Sequence, residues 1–277
     1  MDAIQVGGLI MTYVGGIWAS FQILQALFGK FSLRSFFERI GIITLLALWL
    51  ILMISIFSLL INWLDGAHAT VKALGFIAVS LCICTIVHVS SMAVIGSSLG
   101  AEIEKLKIGL GPELFGWEFS SGTKIEVAIP ILSGHVKFRE LEGLTSAIIG
   151  LIAPLTLLTV SSLLVGINET LAVLIGTFGA FVEGLISMSF KEPVSQIVPT
   201  VSALPYSTTL AYTFSTVAAI CLVPIPGMNG GQIVLGSADH FLGIKPSDQT
   251  IQRIYLGGVL VILYAWGLFI IAVLFGW

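Results

Sequence analysis

Long apolar stretches constrain the fold of this chain more than any other feature of its sequence. A helix needs roughly 20 apolar residues to cross a bilayer, and seven stretches of the chain reach about that length. Lipid offers no hydrogen bonds to the backbone, so spanning segments of this kind form helices. The sequence therefore predicts an all-α polytopic membrane bundle. The predicted spans cover residues 4–28, 40–61, 71–99, 144–167, 171–190, 206–235 and 254–277.

The composition agrees with a membrane protein and argues against several other classes. Charged residues make up 10% of the 277 residues and the mean hydropathy is +1.06, whereas soluble domains are about 25% charged. The net charge of −3, without a long basic tract, gives no indication of nucleic-acid binding. The cysteines all lie in apolar stretches, so no disulfide framework is predicted. We interpret the N-terminal stretch as a span and not as a removable signal.

The distribution of Lys and Arg predicts the orientation of the spans, because cytoplasmic loops are enriched in both. One set of loops carries Lys30, Arg34, Arg39, Lys105, Lys107, Lys124, Lys137, Arg139 and Lys191. The opposite set carries Lys72, Lys245 and Arg253. With seven alternating spans, the N-terminus is expected outside and the C-terminus in the cytoplasm. A bacterial inner membrane or a plasma membrane is the expected location.

The polar stretch 100–143 has the pattern of β-strands. Apolar Ile125, Val127 and Ile129 alternate with Lys124, Glu126 and Ala128. Period-two alternation is typical of half-buried strands, and the surrounding glycines and proline are typical strand ends. We predict a small β-sheet, or a pair of hairpins, against the cytoplasmic face of the membrane.

Two segments within apolar stretches carry unusual residues. Residues 88–92 read His-Val-Ser-Ser-Met, and residues 224–231 read Pro-Ile-Pro-Gly-Met-Asn-Gly-Gly. Pro224 and Pro226 lack a backbone donor and prevent a helix from continuing. The neighbouring Gly227 and Gly230 add backbone freedom, so the span at 206–235 is predicted to unwind there.

In order and spacing these segments resemble motifs of the site-2 protease family of intramembrane zinc metalloproteases. That family has His-Glu-x-x-His in a helix and Asn-x-x-Pro-x-Pro-x-x-Asp-Gly-Gly near its C-terminus. Between the two it has a Gly, a Gly-x-Gly turn, a Gly-Thr and Ile-Pro-x-x-Gly-Tyr-Val-Lys. This chain has Gly100, Gly109-Leu110-Gly111, Gly122-Thr123, and Ile129-Pro130 leading to Gly134-His135-Val136-Lys137. The resemblance implies a site-2 protease-like core at 71–277, preceded by two added helices within 1–70.

The same resemblance implies that the catalytic centre is degenerate. His88 keeps the first zinc-ligand position, but Val89 replaces the glutamate base and Met92 replaces the second histidine. Asn229 replaces the aspartate ligand, and Cys221 replaces the asparagine of the late motif. A catalytic zinc site needs three protein ligands and a base. We therefore expect a pseudoprotease with no cofactor.

The features that hold substrate in active relatives are kept, which suggests binding without cleavage. We predict a scaffold or regulatory subunit of a membrane complex, which binds a segment of a membrane partner by strand addition or helix packing. The predicted partner-binding residues are Pro224, Pro226, Gly227, Asn229, Gly230, Ile125, Val127, Ile129 and Glu183. Glu183 is included because an ionisable group in a span is a functional candidate, although it also lies near Lys191 and the end of its span.

Three alternatives remain open at this point. An atypical metalloprotease would need a metal site rebuilt from His88, His135 or His240. A soft-metal or haem protein would use Cys84, His88, Met92 and Cys221, of which the first three recur on one helix face. The competing interpretation is that Cys84 and Met92 are ordinary packing residues. A transporter would depend on Glu183 and the broken helix.

Overall fold

The fold was analysed in a computed structural model. It describes residues 60–275 apart from gaps at 67, 110, 120–121, 129–132, 140, 142, 189–196, 198, 227 and 245–247. The predicted span at 4–28, and that at 40–61 except its last two residues, lie outside the described residues, as do Ile129 and Gly227. The division of the chain at residue 70 therefore stays a prediction.

Helices and one small sheet make up the described part of the chain. The helices are α1 (Ala69–Ser98), α2 (Gly143–Val165), α3 (Ile167–Ser187), α4 (Tyr206–Leu222), α5 (Asn229–Leu242) and α6 (Asp248–Phe275). The strands β1 (Ile103–Ile108), β2 (Glu113–Glu118), β3 (Lys124–Ala128) and β4 (Gly134–Phe138) lie between α1 and α2.

Helices α1, α2 and α3 are long and apolar enough to cross a membrane, and they match the predicted spans at 71–99, 144–167 and 171–190 to within a few residues. The membrane character of the chain is supported by these helices. The predicted bundle of seven spans is not supported. Among the described residues, the stretch 206–235 forms two shorter helices, α4 and α5, because its prolines end the helical hydrogen bonding. In α6 the described apolar run is the shorter Gln252–Ala265.

The predicted β element is a four-stranded mixed sheet with the order β2-β3-β1-β4. Strand β1 pairs in parallel with β3 and antiparallel with β4, and β2 pairs antiparallel with β3. In register, Leu106 lies beside Ile125, and Lys107 lies beside Glu126. One face of the sheet is therefore apolar and the other charged, as the alternation predicts.

The described chain forms two compact units. One contains Leu81–Glu140, and thus the second half of α1 together with the sheet; the other contains Ala67–Ser80 and Leu141–Trp277. In the second unit, α5 packs antiparallel to α2, because Asn229 bonds to Gly150 while the later Gln232 bonds to the earlier Ser146.

Helices α3 and α4 run in the same direction. Tyr212 of α4 bonds to Glu169 of α3, and Thr216, one turn later, lies 3.4 Å from Thr177, also later in α3. Consecutive spans that alternate in direction cannot give this arrangement. Strict alternation of the predicted spans is therefore not supported for α3 and α4, and the orientation of the chain stays a prediction.

Helix α6 runs back along α5, and the predicted cytoplasmic location of the C-terminus stays a prediction. Helix α6 begins shortly after α5 ends, and its Gly258 packs against Pro226, which precedes α5. It therefore runs antiparallel to α5 and in the direction of α2.

Candidate functional site

The His-Val-Ser-Ser-Met segment lies in the second half of α1, within the unit that contains the sheet. Cys84 and Met92 are buried, and His88 between them is half-buried. The hydroxyl of Ser91 donates a hydrogen bond of 2.8 Å to the backbone carbonyl of His88. This bond involves the backbone of His88.

Val89, which the sequence resemblance aligns with the glutamate base of the site-2 protease motif, is fully buried against strand β4. A Cβ built on Gly134 would lie 2.7 Å from Cγ2 of Val89 and 2.6 Å from the carbonyl oxygen of Lys107. Gly134 is thus required by the close approach of helix and sheet. The position of the base is occupied by hydrocarbon that packs the first unit together.

Asn229, which the sequence resemblance aligns with the aspartate ligand of the late motif, makes a buried hydrogen bond. Its Nδ2 donates to the carbonyl oxygen of Gly150 at 3.0 Å. That carbonyl lacks the usual helical donor, because the residue four positions later is Pro154, which has no backbone N–H. The side-chain amide therefore replaces the bond that Pro154 removes. An ionised carboxylate could not do so, because it only accepts hydrogen bonds.

The predicted break in the helix is present between α4 and α5. Ile225 donates from its backbone N–H to the carbonyl of Val223 at 2.7 Å, and Met228 donates to Ile225 at 3.0 Å. Of the described residues in this segment, Pro224 is exposed, while Ile225, Pro226 and Met228 are half-buried. Gly227 lies outside the described residues.

Glycines bring the broken segment into close contact with its neighbours. A Cβ on Gly230 would collide with the carbonyls of Leu222 and Val223, and one on Gly231 would collide with that of Ile225. From the other side, Gly258 of α6 approaches the carbonyl of Pro226. The backbone of the segment is therefore packed between the start of α5 and α6, which limits what a partner could reach to side chains such as Pro224.

The residues predicted to accept a partner strand do not lie at an edge of the sheet. Ile125 and Val127 lie in β3, which pairs with β1 on one side and with β2 on the other. Their backbone groups are engaged in both ladders, so a partner strand cannot add there; Ile129 lies outside the described residues. Within the part that the structure describes, the outer edge of β2 has no paired strand. All its residues are exposed, including Phe115 and Trp117.

The charged face of the sheet centres on Glu126. Its carboxylate is buried and contacts the ammonium groups of Lys105 at 2.8 Å and Lys124 at 2.7 Å. These hydrogen bonds and charges, that of Lys105 first, lower the pKa of Glu126 to about 2. Partial burial and the positive charges of Lys105 and Lys107 lower the pKa of His135. The sequence did not indicate this cluster beyond the alternation of charged residues.

The metal alternatives are not supported by the described residues. In that part of the chain, no three His, Cys, Asp or Glu side chains are grouped so as to hold a metal ion. His88 and His135 belong to the unit with the sheet, and His240 and Cys221 belong to the other unit. The sets predicted from His88, His135 or His240, and from Cys84, His88, Met92 and Cys221, thus draw on residues of both units.

Glu183 lies on an exposed side of α3, one turn before the helix ends. Its carboxylate forms no hydrogen bond or ion pair with the described residues. Of the other predicted site residues, those that the structure describes lie in the two motif regions, one in each compact unit, and Glu183 belongs to neither motif.

No protein-family model matches this sequence, and a search of curated proteins found no match.

Proposed function

We propose that this protein is a non-catalytic, site-2 protease-like membrane protein that binds a segment of another membrane protein as a scaffold or regulatory subunit. The observation that carries the proposal is the hydrogen bond from Asn229 to Gly150. At the position where an active relative would have a metal-binding carboxylate, this chain has an amide with a structural task that a carboxylate cannot perform.

The burial of Val89 supports the same conclusion from the other motif. A zinc hydrolase needs a group that takes a proton from the metal-bound water. Valine has no such group, and its side chain is 0% exposed and in contact with the strand that carries Gly134. Both replaced positions thus serve packing, and neither retains a group for hydrolysis.

The proposed core is residues 71–277 with the sheet on the cytoplasmic side of a bacterial inner or plasma membrane. The sheet and the residues beside it carry Lys105, Lys107, Lys124, Lys137 and Arg139. More positive charge on the sheet side is what the orientation rule for cytoplasmic loops favours.

Partner binding is proposed to use the broken segment and the edge of the sheet. An extended segment could add to the outer edge of β2, where backbone pairing gives affinity and side chains such as Trp117 give contact area. Pro224 offers an exposed side chain at the broken segment.

The first experiment is a measurement of bound metal per chain, made by mass spectrometry on protein extracted in mild detergent. We expect less than one-tenth of a zinc, copper or iron ion per chain, and no visible absorbance band. Protein incubated with zinc and then dialysed provides the control for weak binding. Near-stoichiometric zinc in the untreated protein would overturn the proposal in favour of an enzyme, and stoichiometric copper or haem would favour the soft-metal alternative.

A second experiment tests binding. A tagged chain should co-purify with one membrane protein in a fixed ratio, and Trp117→Asp should reduce the recovery of that protein while leaving the tagged chain folded. Unchanged recovery in Trp117→Asp would exclude the edge of β2 as the contact.

A further inference from the structure

The outer edge of β2, which pairs with no other described strand, has apolar side chains on one face and carboxylates on the other. Phe115 and Trp117 extend the apolar face of the sheet beyond β3 and are 62% and 65% exposed. Glu113 and Glu118 extend the charged face and are exposed as well. Proteins normally cover or block such an edge, because its free backbone groups can pair with another strand. The side chains along the edge indicate what covers it.

The two carboxylates mark the ends of this edge. Glu113 and Glu118 lie opposite Ala128 and Lys124, which are four residues apart in β3. At about 3.4 Å per residue, they are separated by about 14 Å along the strand. Glu113 contacts Lys124 at 3.4 Å, whereas Glu118 forms no ion pair with the described residues. A complementary strand therefore has basic residues four positions apart on one face and apolar residues between them on the other.

Residues 30–34, which read Lys-Phe-Ser-Leu-Arg, have this pattern. In an extended chain Phe31 and Leu33 lie on one face, and Lys30 and Arg34 lie on the other. The two basic residues are four positions apart, which matches the separation of the two carboxylates of β2 along the sheet.

The match does not depend on the direction of the added strand, because the pattern is symmetric about its centre. With Ser32 opposite Gly116, either direction places the apolar residues beside Phe115 and Trp117. Either direction also places one basic residue at each carboxylate. Because a shift by one residue would exchange the two faces, this register is the one that satisfies both of them.

The other long stretches outside the described residues lack the pattern. The predicted spans at 4–28 and 40–61 contain no Lys or Arg. Residues 189–196 contain one Lys and a proline, which has no backbone N–H to pair with the edge. Charge complementarity therefore favours residues 30–34 over the other undescribed parts of the chain.

The beginning of α1 indicates that the loop with residues 30–34 lies near the sheet. Residues 60–65 are helical, and α1 begins at Ala69, so a three-residue link makes the two helices antiparallel neighbours. The predicted span at 40–61 continues into this helix. Its beginning, and the loop before it, are therefore expected towards the C-terminal end of α1, from which the chain enters β1. Residues 60–66 also belong to the compact unit that contains the sheet.

We propose that residues 30–34 of this chain add as a strand to the outer edge of β2 and occupy it until a partner strand displaces them. The apolar residues pack beside Trp117, and the basic residues pair with the carboxylates of β2. Because the segment belongs to the same chain, its effective concentration at the edge exceeds that of a separate protein. This inference rests on the proposed function, since it names what regulates access to the same edge.

The test is disulfide trapping in the full-length chain, purified in mild detergent and separated from co-purifying proteins. Ser32→Cys and Gly116→Cys are combined in a chain whose three natural cysteines are replaced by alanine. The new side chain at 116 displaces only the flexible end of Glu113. Residues directly opposite each other on adjacent strands have Cα atoms about 4.5–5.5 Å apart, which suits a disulfide. We expect most chains to form this bond within one molecule under mild oxidation.

A second cysteine pair provides the matched control for register. Ser35→Cys combined with Gly116→Cys places the thiol three positions, about 10 Å, further along the same segment. This pair should form its disulfide at least about fivefold more slowly than the pair with Ser32. Equal rates would show a mobile loop that meets the sheet at random and would overturn the inference.

Charge reversal tests the ion pairs. Lys30→Glu with Arg34→Glu should slow the Ser32 disulfide about tenfold, because like charges opposite each other are unfavourable. Arg39→Glu, in the same loop but outside the segment, should leave the rate unchanged. Glu113→Lys with Glu118→Lys should restore the rate when combined with the first pair of changes. A rate that is insensitive to these reversals would contradict the proposed pairing.

A photo-crosslink gives an independent measurement in the chain with its natural cysteines. Benzoyl-phenylalanine at Trp117 should crosslink to a peptide of the same chain that contains residues 31–33, identified by mass spectrometry. Benzoyl-phenylalanine at Leu155 of α2, which is also exposed, should give no such product. A Trp117 crosslink to a second copy, to another protein or to lipid alone would overturn the inference.

These measurements separate the inference from the proposed function. Trapping within one purified chain requires neither a partner nor a metal, so its failure leaves the binding of a partner to be decided by co-purification. A chain that traps the segment but recovers no partner would refute the proposed function alone. Because segment and partner compete for one edge, Lys30→Glu with Arg34→Glu should increase the recovery of the partner, whereas Trp117→Asp should decrease it. Unchanged recovery in the double variant would refute the competition.

Discussion

Asn229→Asp is the substitution that most directly tests the structural reading of the site. The change is nearly isosteric, so it leaves no cavity, but it replaces a donor by an acceptor opposite the carbonyl of Gly150. Loss of one hydrogen bond costs about 1 kcal/mol, and a buried carbonyl left without a donor costs about 1–3 kcal/mol. We expect a loss of about 2–4 kcal/mol in the free energy of unfolding, measured by reversible unfolding in mixed detergent micelles.

Pro154→Ala provides the control, because it restores the backbone N–H that can reach Gly150. In that background Asn229→Asp should cost at least about 1 kcal/mol less than in the natural chain. Equal costs in both backgrounds would refute the idea that the amide compensates for the proline. A stabilising effect of Asn229→Asp would refute it as well.

Three further predictions follow from the packing and charges. Gly134→Ala should lower the free energy of unfolding by about 1–3 kcal/mol, because the new methyl group would overlap Val89 and the carbonyl of Lys107. Gly176→Ala is the control in the same unfolding assay and should be neutral, because open space surrounds that position. Glu126 has a folded pKa of about 2, below its ordinary 4.5, so its ion pairs stabilise the fold above pH 4.5 and this contribution is lost as the pH falls from 4.5 towards 2. Glu126→Gln should flatten stability across that window, and an unchanged pH profile would contradict the assignment. Ser161→Ala should lower the free energy of unfolding by about 1–3 kcal/mol. The hydroxyl of Ser161 donates to the carbonyl of Ala211 at 2.9 Å and contacts the hydroxyl of Ser215 at 2.7 Å. A decrease in melting temperature of less than about one degree would show that these bonds add little.

Local features of the fold could be predicted from the sequence, since they depend on neighbouring residues. Prolines at 224 and 226 predicted the break between α4 and α5, and alternation predicted β3. Strand β2 was not predicted, because it lies at an edge with both faces exposed and has no alternation to detect. The direction of α4 was missed for a different reason. Hydropathy gives the length of an apolar stretch but not the path of the residues that connect it to the previous one.

The role of Asn229 was also missed, although the sequence contains a signal for it. A proline in the middle of an apolar helix leaves one carbonyl without its backbone donor, here that of Gly150, and a buried donor must come from elsewhere. Pro154 could therefore have prompted a search for an amide, although not the identification of Asn229, which lies 79 residues away from Gly150 in sequence. Pairings over such distances depend on the tertiary fold.

Val89 and Asn229, the two positions at which the proposal replaces catalytic residues, share a property. It bears on how a site-2 protease-like core would lose catalysis. On the proposed ancestry, Val89 and Asn229 are more than removals of catalytic groups, because each now contributes to packing that the catalytic residue would disturb. A glutamate at 89 would place a longer, charged side chain against a strand so close that residue 134 must be glycine. An aspartate at 229 would face a carbonyl that needs a donor. On the proposed ancestry, a glutamate at 89 or an aspartate at 229 would therefore destabilise the chain before a metal site could form, so the fold itself would oppose a return to catalysis.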